Sequence, residues 1–297
     1  MADFNVTKPI DTRTNTELVN ATKSRAIVSN EVLYYFLLFN LWGVGQGVCL
    51  FGIMTNILNI IVFVKQGVKD TVNISLLGLA TSDLGSQITL CYANISFCPP
   101  FMALDLPFVP NDLMYIISWC HIMFTRISTW ITAYITLERC LCVTAPLRVK
   151  NVFTPKRTVF YLQFVYIIML ASVLPCFYTT RPAIVFDPVR NITLLGITFL
   201  ENRETIESIT FTTNNAIPTI ALCLVVICTI ILVSTLRQKS KWRRQATTSN
   251  VVKMVVLISA IFIICYFPGT VVFIYMLTDQ DMRIDGVRRN PEICYLL

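Results

Sequence analysis

Long stretches of apolar residues alternate with short polar segments along most of the chain. Six stretches are about as long as the roughly 20 residues that an α-helix needs to cross the hydrocarbon core of a membrane. They lie near residues 36–64, 72–95, 112–141, 157–179, 212–236 and 250–277. This pattern predicts an all-α membrane protein with about six complete spans, in which a transmembrane domain over residues 36–297 follows a polar N-terminal tail over residues 1–35.

The composition supports a membrane protein and argues against several other classes. Hydrophobic residues make up 55% of the chain and charged residues only 14%, which is unusual for a soluble domain. The net charge of +7 does not indicate a nucleic-acid partner, because the basic residues lie between the spans rather than on one stripe or tail. The polar start of the chain is not a cleavable signal peptide, so we expect the first span to act as its own anchor.

The distribution of charge predicts which side of the membrane each segment occupies. With the N-terminus outside, the inner segments hold thirteen basic and two acidic residues, and the outer segments hold ten basic and fourteen acidic residues. Short cytoplasmic loops are enriched in Lys and Arg. Three Asn-x-Ser/Thr sequons, at Asn5, Asn20 and Asn191, also fall outside, where glycosylation takes place. Both patterns predict an extracellular N-terminus.

The sequence does not favour an enzyme, a metal site or a transporter. Most of the eleven cysteines fall within the apolar stretches, where we expect small buried side chains rather than ligands. The spacing of Cys and His matches no metal-binding pattern, and no catalytic constellation converges in the spans. A transporter would be expected to show internal repeats, and the two halves of the chain show none.

A few polar or charged residues interrupt the spans. Asp83 lies midway along the second span and Asn56 lies near the inner end of the first; such residues face the bundle interior and mark either a functional site or a polar contact between helices. Glu138 and Arg139 adjoin at the inner end of the third span. Either the two residues form a releasable ion pair, or the arginine simply extends from the end of the helix toward water.

Taken together, the motifs resemble those of the class A, or rhodopsin-like, G-protein-coupled receptors from about Asn56 onward. The matching positions, in chain order, are Asn56, Leu79, Ala80, Asp83, Glu138, Arg139, Cys140, Pro146, Leu147, Pro175, Pro218, Phe262, Cys265, Tyr266 and Pro268. Each match is weak alone, but their joint order is highly specific. The resemblance implies a seven-transmembrane helix bundle in the plasma membrane that binds an extracellular ligand and activates a heterotrimeric G protein.

The resemblance also implies a role for several residues. Arg139, held by Glu138 at rest, would be released as the sixth helix swings outward and opens an inner cleft for a G-protein helix. Pro268 bends that helix by removing a backbone hydrogen bond, and Tyr266 beside the bend would sense the ligand. The residues expected in coupling and switching are Glu138, Arg139, Cys140, Pro146, Tyr266 and Pro268.

Two further expectations follow from the resemblance. Asp83 and Ser128, with Asn56, would form a polar core that holds a sodium ion or water; no other cofactor and no other metal is expected. The basic third inner loop, from Arg237 to Lys253, would face the G protein and anionic lipid head groups. The general excess of basic residues in inner loops explains this loop equally well.

Departures from the family pattern narrow the ligand. His121 stands where amine-binding members carry an aspartate, so a biogenic amine is disfavoured and a peptide or a chemosensory small molecule is expected. His121 is either a pocket residue or a core histidine with its hydrogen bonds satisfied. Arg126 places a positive charge near the middle of the third span. It requires a buried carboxylate, an anionic ligand group or water.

Other departures concern the outer surface. Met114 occupies the expected position of the outer disulfide, and the second outer loop contains no cysteine, so we expect that bridge to be missing. Cys98 and Cys294 remain candidates for another pairing. The usual tryptophan of the fourth helix is replaced by Val165. The end of the third span is similar to invertebrate, particularly molluscan, orphan and chemosensory receptors.

The last residues resemble the start of a seventh span that begins near residue 291 and is cut off, because seven residues do not cross a bilayer. We therefore expect the sequence to be a fragment of a longer receptor. A truncated, non-signalling membrane protein is the alternative, and a transporter is a more distant one.

The predicted topology can be tested through its glycans. Asn5, Asn20 and Asn191 should each carry one N-linked glycan. Substitution of any one of them by Gln should therefore lower the apparent mass of the protein on a gel by one glycan, and peptide N-glycosidase should remove the same mass from the wild type. The sequon at Asn73 lies in an inner segment and should stay unmodified. Loss of a glycan in Asn73→Gln would contradict an extracellular N-terminus.

Overall fold

The computed structural model describes residues 30–102, 104–187, 191–240 and 246–278. Its first helix, α1 (Asn30–Leu37), continues through a π-helical segment (Leu38–Gly45) into α2 (Gln46–Gln66). The remaining helices are α3 (Thr71–Ser96), α4 (Pro99–Met102), α5 (Pro110–Thr144), α6 (Pro146–Val152), α7 (Pro155–Thr179), α8 (Arg203–Ser240) and α9 (Ala246–Thr278). Strands β1 (Thr180–Asp187) and β2 (Ile192–Phe199) form an antiparallel hairpin between α7 and α8.

The predicted helical bundle is confirmed, with this hairpin as the exception. The six predicted spans fall, in order, on the continuous α1–α2 segment and on α3, α5, α7, α8 and α9. Most of these helices extend a few residues beyond the apolar stretch that predicts them, and α8 begins nine residues earlier than its predicted span. The apolar pattern therefore locates the helices but underestimates the polar turns at their ends.

The long helices differ in how apolar they are. Within the described residues, three helical segments are long and apolar enough to cross a membrane by length and composition, namely Tyr34–Gln66, Pro155–Thr179 and Arg203–Thr235; Ser259–Val271 is a shorter apolar helix. The helices α3 and α5 fall short of that standard. Their buried residues include many serines, threonines and asparagines that bond within the bundle, as expected for helices that face protein rather than lipid.

Local sequence accounts for several helix boundaries. Pro155 occupies the first turn of α7, and the Thr154 side chain caps that helix by accepting a hydrogen bond from the Arg157 backbone N–H at 3.4 Å, both favourable at a helix start. Pro110 begins α5 in the same way. At the other end of a helix, Gly67 stops α2 with a φ of 86°, which glycine adopts without strain.

The helix α5 forms the centre of the bundle and packs against α3, α7, α8 and α9. Ile127 and Ile131 on α5 are completely buried within a cluster that includes Val165 on α7 and Leu232 on α8. Gly85 on α3 permits a close approach to α5, because a Cβ atom there would lie 2.7 Å from the Phe124 ring. Large apolar residues and one glycine thus hold α3 directly against the central helix.

The β-hairpin is not predicted by the sequence pattern, which indicates only an outer loop over residues 179–212. Both strands are rich in β-branched and aromatic residues, which favour strands. Asn191, directly before β2, adopts a φ of 53°, a conformation that asparagine tolerates better than most residues. The Asn191 side chain is exposed, a position that leaves its predicted glycan room in solvent.

Hydrogen bonds fasten the hairpin to the start of α5. Leu195 exchanges backbone hydrogen bonds of 2.9 Å with Pro107 and Val109, and the Asp112 carboxylate accepts a hydrogen bond of 2.9 Å from the Ile197 N–H. Gly196 allows this approach, because a Cβ atom there would lie 2.8 Å from Asp112 Oδ2. We call these contacts the hairpin clamp.

A second cluster lies beside the hairpin clamp at the start of α8. The Arg203 guanidinium lies 3.4 Å from the centre of the Phe199 ring and 4.9 Å from that of Tyr115. It also forms an ion pair with Glu207, which accepts a hydrogen bond of 2.5 Å from the Tyr115 hydroxyl. Cation–π contacts and a charge-assisted hydrogen bond therefore join β2, α5 and α8 at this end.

No disulfide links the cysteines within the described residues. All ten of them, including Cys98, are free thiols; Cys294 lies outside the described part, as do Asn5, Asn20 and the start of the predicted seventh span. The expectation that thiols in the apolar stretches are buried holds for Cys49 and Cys228 and is wrong for Cys223 and Cys265, which lie exposed on the bundle surface.

The hairpin clamp should contribute measurably to stability. Asp112→Ala removes the acceptor of the Ile197 N–H, and we expect it to lower the free energy of unfolding by about 1–2 kcal/mol. Thermal unfolding of the purified protein in nanodiscs would show this as a lower midpoint. Asp112→Asn retains an acceptor oxygen and is the matched control, with a smaller loss. Equal midpoints for Asp112→Ala and the wild type would contradict a stabilising role.

Candidate functional site

The Glu138–Arg139 pair lies at the end of α5 opposite the hairpin. Arg139 Nη2 is 3.1 Å from Glu138 Oε1, and the same oxygen accepts a hydrogen bond of 2.5 Å from the Thr71 hydroxyl at the start of α3. Glu138 is only 2% exposed. Its second oxygen Oε2 and Arg139 Nε are buried with no hydrogen-bond partner among the described residues, so a rearranged state could satisfy groups that this one leaves unpaired.

The helix α9 is held against α5 one turn away from this pair. The buried hydroxyls of Thr136 on α5 and Ser259 on α9 lie 3.2 Å apart. Phe262 on α9 packs against a buried cluster formed by Ala133 of α5 with Ala221 and Val225 of α8. One polar and one apolar contact therefore hold α9 against α5 close to Arg139.

The other two motif positions at this end occupy different surroundings. Cys140 is buried, and its thiol lies near that of Cys228 on α8, so it contacts a neighbouring helix. Pro146 is exposed and begins the short helix α6, where a proline in the first turn costs no hydrogen bond. Of the basic third inner loop, the side chains from residue 236 to residue 255 lie outside the described part.

The polar core expected between the second and third spans is partly assembled. Ser128 Oγ on α5 donates a hydrogen bond of 2.6 Å to Asp83 Oδ1 on α3 and lies 2.9 Å from Ser82 Oγ. Asn56 does not join them: its Nδ2 donates to the Gly52 backbone oxygen of its own helix at 3.0 Å. The structure therefore brings together Asp83 and Ser128 and leaves Asn56 in a local contact on α2.

His121 faces α3. Its Nδ1 lies 3.1 Å from the Ser86 backbone oxygen, 3.3 Å from Ser86 Oγ and 3.2 Å from Thr89 Oγ1. The carbonyl can only accept, so it fixes Nδ1 as the protonated nitrogen in this arrangement. These contacts correspond to the core histidine considered above rather than to a pocket residue.

Arg126, in contrast, joins three helices in the middle of the bundle. Its Nη2 donates a hydrogen bond of 2.9 Å to Asn215 Oδ1 on α8, and its Nη1 donates to the Tyr266 hydroxyl on α9. The guanidinium carbon also lies 5.7 Å from the centre of the Tyr266 ring. Arg126 is thirteen residues from Arg139, about 20 Å along the helix axis.

A cleft of 220 Å³ opens at this junction. It is lined by Thr125 and Arg126 of α5, by Asn215, Pro218 and Thr219 of α8, and by Cys265, Tyr266, Gly269 and Thr270 of α9. Two of the three predicted pocket candidates, Arg126 and Tyr266, line it, and His121 does not. Pro268 lies within α9 beside the cleft, where its missing N–H weakens the helix.

A larger groove of 770 Å³ lies between α3 and α7 and is lined mainly by apolar side chains such as Leu77, Leu162 and Ile167. It contains few of the convergent polar groups that orient a ligand. The smaller cleft at Arg126 is therefore the better candidate for ligand recognition.

The sequence pattern does not predict two of the contacts in these sites. Asn215 lies within the predicted fifth span close to Pro218, and a polar side chain in a span could have identified it. Thr71 gives no such signal, since a threonine at a helix start is ordinary. Its contact with Glu138 depends on how α3 packs against α5, which the sequence alone does not reveal.

Comparison with known proteins identifies a family and a similar receptor. The family described as 7 transmembrane receptor (rhodopsin family) matches residues 55–296. The galanin-like G-protein coupled receptor npr-9 of Caenorhabditis elegans is 28% identical over 178 residues, which cover 59% of this chain and 37% of that receptor. The aligned region therefore spans little more than a third of this curated relative, an invertebrate protein as the sequence resemblance suggests.

Proposed function

Because the chain belongs to the rhodopsin family of seven-transmembrane receptors, we propose that it binds an extracellular ligand and activates a heterotrimeric G protein by moving α9 away from α5. Family membership makes it a multi-pass membrane receptor rather than an enzyme. The observation that supports the mechanism is the Glu138–Arg139 ion pair, which lies about one helical turn from a contact between α5 and α9. The proposed setting is the plasma membrane with the N-terminus outside, supported by the charge distribution and the sequons.

We infer that this arrangement is the closed state of the receptor. Thr71 and Arg139 both contact the same oxygen of Glu138, so the carboxylate holds the arginine side chain beside α3. When α9 separates from α5, the bond between Thr136 and Ser259 breaks and Arg139 becomes accessible from the inner side. A helix of the G protein would then dock in the cleft that opens.

The closed state should depend on the Glu138 carboxylate. Glu138→Gln and Thr71→Ala each weaken the charge-assisted contacts that hold Arg139, and we expect each to raise basal nucleotide exchange, up to about tenfold for the loss of one such bond. Arg139→Ala should abolish exchange. Exchange is measured on a panel of G proteins in membranes from cells expressing the receptor, with surface expression matched.

Lys156→Ala is the control variant, because Lys156 is an exposed cation at the same end of the bundle on α7 and takes no part in the proposed switch. It should leave exchange unchanged. Undiminished exchange in Arg139→Ala, at equal surface expression, would contradict the role proposed for the ion pair.

We propose a peptide or chemosensory ligand rather than a biogenic amine. His121 replaces the aspartate of amine-binding family members and is engaged with α3, so it offers no counter-charge to an ammonium group. The galanin-like name of the nematode relative favours a peptide. The Arg126 cleft is the part of the described bundle with the polar groups to recognise such a ligand.

We also propose that Asp83 and Ser128 hold a sodium ion. The Asp83 carboxylate and the hydroxyls of Ser128 and Ser82 supply oxygen atoms, the ligand type that hard cations prefer. Asp83 forms no ion pair with a described cationic side chain, so its charge is available to a cation. A bound ion would supply positive charge there and stabilise the contact between α3 and α5.

This sodium site can be tested by cation replacement. A cation that binds the closed arrangement stabilises it, so basal nucleotide exchange should fall when choline chloride is replaced by NaCl. Asp83→Asn should lose this response, whereas Thr81→Ala, an exposed position on the same helix, should retain it. A sodium response that persists in Asp83→Asn would contradict the assignment.

A further inference from the structure

Arg126 carries a positive charge for which the described residues of the bundle supply no negative one. Its hydrogen-bond partners, Asn215 and Tyr266, are neutral. Among the described residues the ion pairs are Glu138–Arg139 and Arg203–Glu207, and neither includes Arg126. The Nε atom is buried without a partner. Of the three ways to stabilise this residue considered above, a carboxylate from the described part of the bundle is therefore excluded.

Placing this charge in the middle of the bundle costs free energy. Arg126 lies about 24 Å and about 27 Å from the two ends of α5, too far for its side chain to extend to the membrane surface. An ionised group at that depth is expected only where it performs a task. Two neutral dipoles offset its desolvation less well than an anion would.

The cleft beside Arg126 has room for an anion of limited size. Its volume of 220 Å³ is below the roughly 300–1,000 Å³ typical of drug-sized ligands. The hydroxyls of Thr125, Thr219 and Thr270 donate to backbone oxygens of their own helices, so they do not compete for the guanidinium. Gly269 adds open space, because a Cβ atom there would meet no atom within 4 Å.

Building on the proposed receptor function, we propose that Arg126 binds a carboxylate group of the ligand in this cleft, with Asn215 positioning the guanidinium. A planar guanidinium matches a carboxylate in both charge and geometry. The carboxylate belongs either to a small organic acid or to the C-terminus of a peptide, since both present the same group.

The same contact couples recognition to α9. The Arg126 Nη1 that would face the carboxylate is bonded to the Tyr266 hydroxyl, which lies on the helix that must move. A carboxylate on Arg126 competes with that hydroxyl and weakens one of the polar links between α5 and α9. Another such link, from Thr136 to Ser259, lies closer to the Glu138–Arg139 pair.

Ligand-induced stabilisation tests this proposal without a G protein. The full receptor in nanodiscs is heated in the presence of benzoate, of the tripeptide Ala-Ala-Phe as the free acid, and of benzamide and the tripeptide amide as neutral counterparts. We expect at least one acid to raise the unfolding midpoint by about 2–4 °C at saturating concentration, and its amide to have no effect. A benzoate response identifies a small acid, and a response to the tripeptide acid alone identifies a peptide terminus.

Variants separate binding from folding. Arg126→Gln keeps a polar side chain of similar length and should lose the acid-specific rise, whereas Arg126→Lys should retain a weaker one. Tyr266→Phe removes the hydroxyl that is bonded to the guanidinium and should increase the acid-specific rise in the unfolding midpoint. The proposal is overturned if neither acid stabilises the wild-type protein, or if an acid stabilises Arg126→Gln equally. Basal exchange and its loss in Arg139→Ala would still stand in that case, so this failure differs from failure of the receptor function.

Discussion

The structure depends on one constraint: the polar side chains of α5 must find their partners inside the bundle, because hydrocarbon offers no hydrogen bonds. Ser128 and Glu138 bond to α3, Arg126 bonds to α8 and α9, and Thr136 contacts α9. Each contact requires α5 to present a particular face to a particular neighbour. The polar residues thus fix the rotation of the central helix, and the apolar cluster around Ile127 fills the space that this rotation defines.

The apolar contacts mainly stabilise the bundle, whereas the polar contacts allow one of its helices to move. The packing around Ile127 and Ile131 joins α5 to α7 and α8, and its loss would leave cavities that nothing refills. The polar contacts between α5 and α9 differ, because a hydroxyl or guanidinium that loses one partner can bond to a ligand atom or to water. Motion of α9 is therefore less costly than motion of α7, which suits α9 to be the moving helix of a receptor.

The sequence predicted the bundle well, because spans depend on local composition. It also predicted the adjacent Glu138 and Arg139 and the meeting of Asp83 with Ser128, since helix periodicity and family motifs place them. It did not predict which way Asn56 and His121 face, nor the contacts of Thr71 and Asn215, because these depend on the rotation and depth of packed helices. The hairpin was not predicted for another reason: each of its strands is only eight residues long, too short to form one of the long apolar stretches that indicate membrane spans.

The hairpin clamp has a consequence for how quickly molecules could reach the bundle interior. A covalent bridge between the hairpin and α5 would persist for the lifetime of the protein, whereas hydrogen bonds such as that between Asp112 and Ile197 break and reform thermally, and loops move on nanosecond to microsecond timescales. The hairpin's attachment is thus an equilibrium rather than a fixed link. Occupancy of the interior would then be governed by how often that attachment opens as well as by affinity, so residence time would respond to the strength of a few surface contacts.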